Sequence, residues 1–387
     1  MRAESDAPVT LRSRTRGRLV SVDGSDVYTT RIVPETMTQA TASLASLGYR
    51  MPAEWEPHAA TWLSWPKRET SWPGKFQEVP PYWARMAKEL SEGEAVRILV
   101  NDHEMHAVAR KILKDHGADS SNIELVEIPT DDSWIRDFGP IFVKRDDAAN
   151  PLIALDWGFN TWGDKYPPYD LDNRVPQRIA ERLGIPVVEG GMILEGGSID
   201  VNGAGLLLTT EQCLLNPNRN PHMTRAQIEE RLMQFLGVSK VLWLGDGIVG
   251  DDTDGHIDDL TRFVSSNTIV TVVEEDESDE NYPMLRENLE RLHDLRNLEG
   301  GKFEIVELPM PPPVIHEDAR LPASYANFYI GNAVVLVPTY NGGKRDQQVL
   351  GVLGDLFPGR RIVGIPSADL VWGLGAYHCV SQQQPAV

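Results

Sequence analysis

Apolar and polar positions follow two alternating periods along most of this chain. Tyr82–Glu92 sets Trp83, Met86, Ala87 and Leu90 at helical spacing, and His106–Lys114 predicts a second helix. Between them, Val96–Val100 is a short continuous apolar run of the kind that makes a buried strand, and Ile123–Ile128 is another. The order then recurs. A helix over Gln177–Leu183 precedes a strand over Pro186–Val188, and Arg225–Leu236 precedes Lys240–Leu244. Tyr282–Leu298 precedes Phe303–Leu308, and Gln347–Leu356 precedes Arg361–Gly364. Met51–Trp65 adds a short aromatic strand closed by Pro66. Strands alternating with helices at this pitch predict an α/β fold.

Five polar motifs punctuate the pattern, centred on Asp137, Glu195, His256, Asn327 and Cys379, with separations of 58, 61, 71 and 52 residues. Apolar, β-prone runs follow them, among them Ile141–Val143, Leu206–Leu208, Leu260–Val264 and Ala333–Val337. A period of this size reads as one supersecondary unit used repeatedly, and a closed ring of units would bring the five motifs to one axis. The expected architecture is a pseudo-symmetric barrel or propeller, one domain rather than the two or three that 387 residues would allow.

Composition narrows the class. The first 48 residues are rich in Arg, Ser and Thr and lack the apolar stretch of a secretion signal. They are expected to be a disordered extension, or a start assigned too early, since Met37 lies just ahead of the patterned sequence; residues 49–387 would be the folded domain. No apolar run reaches the roughly 20 residues of a membrane span. The two cysteines, Cys213 and Cys379, suggest neither a disulfide framework nor a zinc site, so a reducing, cytoplasmic setting is expected. A formal charge of −20 argues against nucleic acid and anionic membrane as partners and is compatible with a small cation.

The motifs carry specific chemistry. Cys379 follows a Gly-rich turn, the setting of a thiolate nucleophile, whereas Cys213, in Thr-Glu-Gln-Cys-Leu-Leu, reads as a structural thiol in a strand-like run without reactive neighbours. His378, next to Cys379, would face the other way on a strand, so His256 is the candidate proton carrier. Asp258 shares the face of His256 in His-Ile-Asp. Asp251-Asp252-Thr253-Asp254-Gly255 lacks the ligand positions of an EF-hand, and no metal is expected. Asp137 and Glu195 would repel each other in one pocket unless a cation held them. A planar guanidinium answers that demand with bidentate donors, and Trp134 could stack on its face.

Met-Pro-Ala-Glu-Trp-Glu-Pro-His, Trp-Ile-Arg-Asp-Phe-Gly-Pro, Leu-Glu-Gly-Gly-Ser-Ile, Cys-Leu-Leu-Asn-Pro-Asn-Arg-Asn-Pro, Gly-His-Ile-Asp-Asp and His-Cys-Val-Ser-Gln-Gln-Gln-Pro occur in that order between about Gly48 and Gln384. On these strings the chain resembles the agmatine deiminase family of guanidino-group-modifying (pentein) enzymes. The resemblance implies a five-bladed α/β propeller with pseudo-five-fold repeats, a possible-partner set limited to a small cationic guanidino substrate and a second copy in a homodimer, and no metal or organic cofactor. It implies hydrolysis of agmatine to N-carbamoylputrescine and ammonia. Cys379 resembles the nucleophile, His256 the general acid and base, and Asp137, Glu195 and Asp258 the carboxylates that hold the guanidinium. Trp134 and Asn327 resemble supporting pocket residues. Two departures stand near the expected pocket: the turn Gly-Leu-Gly-Ala-Tyr-His-Cys, and Asp200 where many members have His. Competing readings are a free-arginine or peptidyl-arginine deiminase, an amidino transferase, and an inactive polyamine-binding propeller.

Overall fold

A computed structural model describes residues 43–387. The extension expected over residues 1–48 lies outside the described residues as far as residue 42. Ser43–Gly48 form a turn whose Leu44 is buried with Tyr49 and Leu236, and Ala45 N–H donates to the Gln234 carbonyl at 3.0 Å.

Five sheets share one plan: a short strand, an antiparallel partner, and a third strand parallel to that partner after a helical crossover. Ile141–Lys144, Leu152–Gly158 and Val187–Ile193 form one such sheet, and Asp200–Val201, Leu206–Thr210 and Lys240–Leu244 the next. Thr261–Phe263, Thr268–Val273 and Glu304–Pro309 form another, and Tyr329–Ile330, Val334–Thr339 and Arg361–Pro366 one more. The remaining sheet is assembled from both ends of the described chain. Ser381–Pro385 runs antiparallel to His58–Ser64, with Trp62 opposite Gln382, and Ala95–Val100 and Ile123–Glu127 extend it in parallel. A small hairpin pairs Ile315–His316 with Ala319–Arg320.

Local rules explain the crossovers. In the helix Arg225–Leu236, Thr224 accepts from the Gln227 N–H while the Gln227 side chain reaches back, a reciprocal cap that satisfies donors at the N-terminus. Ile228, Leu232 and Leu236 recur at four-residue spacing and are buried together, and Gly237 ends the helix at φ +66. Leu232→Ala would cost about 2–5 kcal/mol through lost burial and the cavity left behind. The middle strands are covered on both faces, as the fully buried Leu206–Thr210 shows, which is why they read as continuous apolar runs.

This plan fixes where the polar motifs fall. Asp137, Glu195, His256, Asn327 and Cys379 each lie two to five residues before the first strand of a sheet. No helix among the described residues is long and apolar enough to cross a membrane.

Candidate functional site

Each functional side chain is aimed by the tight turn that carries it. Asp137 sits on the single helical turn Ile135–Phe138, Glu195 starts the 3-10 turn Gly196–Ser198, and His256 starts the 3-10 turn Ile257–Asp259. Gly197 permits the first three motifs to meet. A Cβ there would fall 2.6 Å from His256 Nδ1, 2.9 Å from Asp137 Oδ1 and 3.1 Å from Asp258 Oδ2. The bare backbone instead brings its N–H to Asp137 Oδ1 at 2.9 Å.

At the sulfur, Asn327 Nδ2 donates to Cys379 Sγ at 3.0 Å, and Sγ lies 3.6 Å from Asp258 Oδ2. Burial pushes the thiol well above its ordinary range, and Asp258, Asp259 and Asp137 push it the same way; the Asn327 bond opposes them. Without a cation beside it, the sulfur is therefore biased towards its thiol form.

His256 is buried beside three carboxylates. Its Nδ1 is 3.8 Å from Asp137 Oδ1 and 4.0 Å from Asp258 Oδ1. Burial disfavours its charge, yet Asp137, Cys213 and Asp258 together hold it well above the usual histidine value. Asp137 is raised to about 6 by burial and by the nearby Asp258 and Glu195, with His256 pulling it down. Trp162 Nε1 donates to Asp137 Oδ2 at 3.0 Å.

Glu195 is fully buried, and Arg219 Nε holds its Oε1 at 2.6 Å. The reading of Cys213 is corrected. It lies in the short helix Glu211–Leu214, started by Thr210, whose side chain accepts the Cys213 N–H. Cys213 Sγ, a Glu195 oxygen and a His256 nitrogen all fall within 4.8 Å of one another, so it does have reactive neighbours. That set and Asp258, Asp259 and Cys379 are two donor groups of metal-binding type. Arg219 already engages Glu195, and Asn327 already engages the sulfur, so a metal ion would have to compete with an existing cation or donor at either group. The acidic run before His256 is likewise engaged: Asp251 Oδ2 accepts the backbone N–H of Gly255 and His256, and Asp254 pairs with Arg219 and Lys165.

A cavity of about 490 Å³ opens onto Cys379, Asp137 and Trp134. His256, Asp258 and Asn327 lie immediately behind these groups. Trp162 forms part of the wall, and Trp72 backs Trp134 as a stacked ring with centroids 5.3 Å apart; Trp65, in the same core cluster, does not line the cavity. Asp132 and Asp252 also line the cavity, together with one guanidinium, Arg68. Arg68 is committed: its Nη1 lies 3.6 Å from Asp132 and donates to the Tyr166 carbonyl at 3.1 Å, and its Nη2 donates to the Pro167 carbonyl at 3.0 Å.

Beneath the site is a second layer of buried charge. His378 Nδ1 meets Asp258 Oδ2 at 2.6 Å, and its Nε2 meets Glu54 Oε2 at 2.8 Å. Arg136 and Arg262 approach the same Glu54 oxygen at 3.4 and 3.1 Å, and Asp200 holds Arg262 Nε at 2.5 Å. His378, in a turn and not on a strand, thus braces Asp258 at the oxygen that also lies 3.6 Å from the sulfur. Residue-by-residue reading passed over Glu54, although it stands in Met-Pro-Ala-Glu-Trp; a buried acid in an apolar string was the available signal.

The model for Porphyromonas-type peptidyl-arginine deiminase matches residues 50–385. An agmatine deiminase of Medicago truncatula is 38% identical over an alignment of 370 residues that covers 88% of this chain and 97% of that protein. The solved agmatine deiminase of Enterococcus faecalis superposes with a TM-score of 0.83 at 31% identity, covering 89% of this chain and 98% of its own. A cysteine-to-serine variant of the C. jejuni agmatine deiminase, solved with substrate bound, superposes with a TM-score of 0.78 at 34% identity, covering 87% and 96%.

Proposed function

Because this chain belongs to the agmatine deiminase and Porphyromonas-type peptidyl-arginine deiminase family, we propose that it hydrolyses agmatine to N-carbamoylputrescine and ammonia. The observation that carries the reading is the convergence of Cys379 Sγ, His256 and the carboxylates Asp137 and Asp258 at the base of one cavity.

The guanidinium enters between Asp137 and Asp258, and its charge offsets the acids that keep Cys379 protonated, so the thiol gives its proton to solvent. The thiolate forms a bond to the guanidinium carbon, with the carboxylates taking the part an oxyanion hole has in acyl transfer. Imidazolium His256 gives its proton to one amino nitrogen, the C–N bond breaks, and ammonia leaves an amidino-cysteine. Neutral His256 then takes a proton from water, and the hydroxide adds to the same carbon. Collapse breaks the C–S bond, frees the urea product and returns the thiolate, the hydroxyl proton passing to solvent. Glu195, beside His256, supports the imidazolium; Trp134 gives an aromatic face to the cation.

Agmatine carries a second cation and no carboxylate. Asp252 on the cavity wall suits the first property, and the commitment of Arg68 to Asp132 suits the second. In this reading the five sheets are blades of one propeller in residues 49–387, each presenting its motif to a common axis; the support is that all five motifs occupy equivalent places in their units. A cytoplasmic homodimer completes the reading, and light scattering at monomer mass would refute the dimer. The function is tested by ammonia release from agmatine, arginine and an arginine-containing peptide, with Cys379→Ala as control. Release from agmatine that the substitution abolishes is expected; release only from arginine or the peptide would overturn the substrate.

A further inference from the structure

The side-chain amide of Asn327 has a defined orientation. Its Oδ1 accepts the backbone N–H of His378 at 3.1 Å and of Cys379 at 3.4 Å, and because those groups can only donate, this end of the amide must be oxygen. Its nitrogen therefore faces the other way, where two acceptors wait at the same distance: Cys379 Sγ and Asp259 Oδ1, each 3.0 Å from Nδ2. All three side chains are buried. The other close polar neighbour of the sulfur, Asp258 Oδ2, can accept a hydrogen bond but offers a thiolate none. Among the described residues, Nδ2 is the hydrogen-bond donor that the sulfur has.

Resting on the reading of Cys379 as nucleophile, we propose that Asn327 is a catalytic residue that donates to the thiolate, and that Asp259 is the positioning residue that holds its amide in place. Asp259 is suited to this by its own fixation. It ends the 3-10 turn Ile257–Asp259, its carbonyl accepts from Ser324 Oγ at 2.7 Å, and its carboxyl is buried against Asn327. One N–H of Asn327 goes to each acceptor, so neither competes for the other. Burial, with Asp258 and Asp251 nearby, pushes the Asp259 carboxyl well above the usual range. In its protonated form that carboxyl still accepts the Asn327 bond and adds no charge against the sulfur. The chain Asp259–Asn327–Cys379 thus couples three of the five motifs through hydrogen bonds that do not involve the substrate.

The test needs no turnover. Iodoacetamide labelling of the full chain would be followed across pH, with peptide mass locating the label at Cys379. The titratable groups facing this sulfur are Asp137, Asp258, Asp259 and His256, and all four are kept in the Asn327 variant. Asn327→Ala should move the labelling midpoint upward by about one to two pH units, the worth of a hydrogen bond to a charged group. Asp259→Leu should move it in the same direction by less, and Asp259→Asn, which keeps an acceptor, should restore it towards the original value. If Asn327→Ala fails to fold by circular dichroism, Asn327→Asp has the same shape without the donor and should shift the midpoint at least as far. Unshifted midpoints in folded Asn327 variants would overturn the role of Asn327. An Asp259→Asn profile displaced as far as that of Asp259→Leu would overturn the role of Asp259. Failure to release ammonia from agmatine would instead strike the functional reading and leave these shifts intact.

Discussion

Two clusters of buried charge meet at Asp258, and they are built on opposite terms. Around Glu54, donors outnumber the need: Ile330 N–H bonds Oε1 at 2.8 Å, while His378, Arg262 and Arg136 crowd Oε2. Arg136 spends its remaining donors on the His378 carbonyl and Gln383, and Arg262 on Asp200 and the Phe328 carbonyl. Around His256, by contrast, both ring nitrogens, Asp258 Oδ1 and Glu195 Oε2 are buried with no hydrogen-bond partner among the described residues. Buried polar groups are ordinarily bonded, so the second arrangement costs stability unless something supplies donors to the acids. A guanidinium does so. The better-bonded cluster, in which Arg262 Nη2 alone of these atoms lacks a hydrogen bond, is scaffold, and the unsaturated one is a receptor shaped for a cation.

The comparison can be broken at several points. The largest effect belongs to the reacting atom: Cys379→Ala should lower ammonia release from agmatine by more than about 10⁴-fold with little change in melting temperature. Glu54→Ala should act mainly on stability. It leaves two arginines and a histidine buried without their common partner, which should cost about 3–5 kcal/mol, read by chemical denaturation. An unchanged midpoint would deny the scaffold role.

The same contrast appears in pH. Burial would raise Glu54, but Arg262, His378 and Arg136 hold it well below its ordinary value. Its contribution to stability is therefore complete above the unfolded value, about 4.3, and is lost as pH falls through the depressed folded one. Asp137 has the opposite sign: with its pKa raised to about 6, its charge works against folding above that pH and is relieved below it. For activity the direction reverses, because the charged form holds the substrate. kcat/KM for agmatine should fall as pH drops through about 6, and Asp137→Asn should be slow and lack that limb. The smallest effect lies at the surface, where the exposed pair Arg286–Glu290 is screened by water: Arg286→Ala should leave the melting temperature within about 1 °C.

Periodicity made much of the scaffold legible. Arg225–Leu236 and Lys240–Leu244 are found where apolar spacing put them, because a capped amphipathic helix and a strand covered on both faces leave local signals. The strand begun at Pro186–Val188 continues to Ile193, past Gly190 and Gly191, which interrupt the apolar pattern; its pairing also shifts register between Asp156 and Gly158. Cys213 was misread because one helical turn, Glu211–Leu214, is too short to show a period. The five motifs could be picked out by residue type, but their partners could not. Glu54 meets His378 across 324 positions, and Asn327 meets Asp259 across 68, distances at which only the folded chain can choose between neighbours. Glu195 shows the same limit, since nothing near it in sequence announces Arg219 as the group that would hold it.

The central claim, that the unsaturated cluster presents a guanidinium carbon to Cys379, is tested most directly by acid-quenching the enzyme during turnover of agmatine and mapping peptide masses. An adduct of agmatine less ammonia is expected on the peptide that contains Cys379, absent from Cys379→Ala. Turnover of agmatine that leaves no adduct there and survives the substitution would contradict that claim.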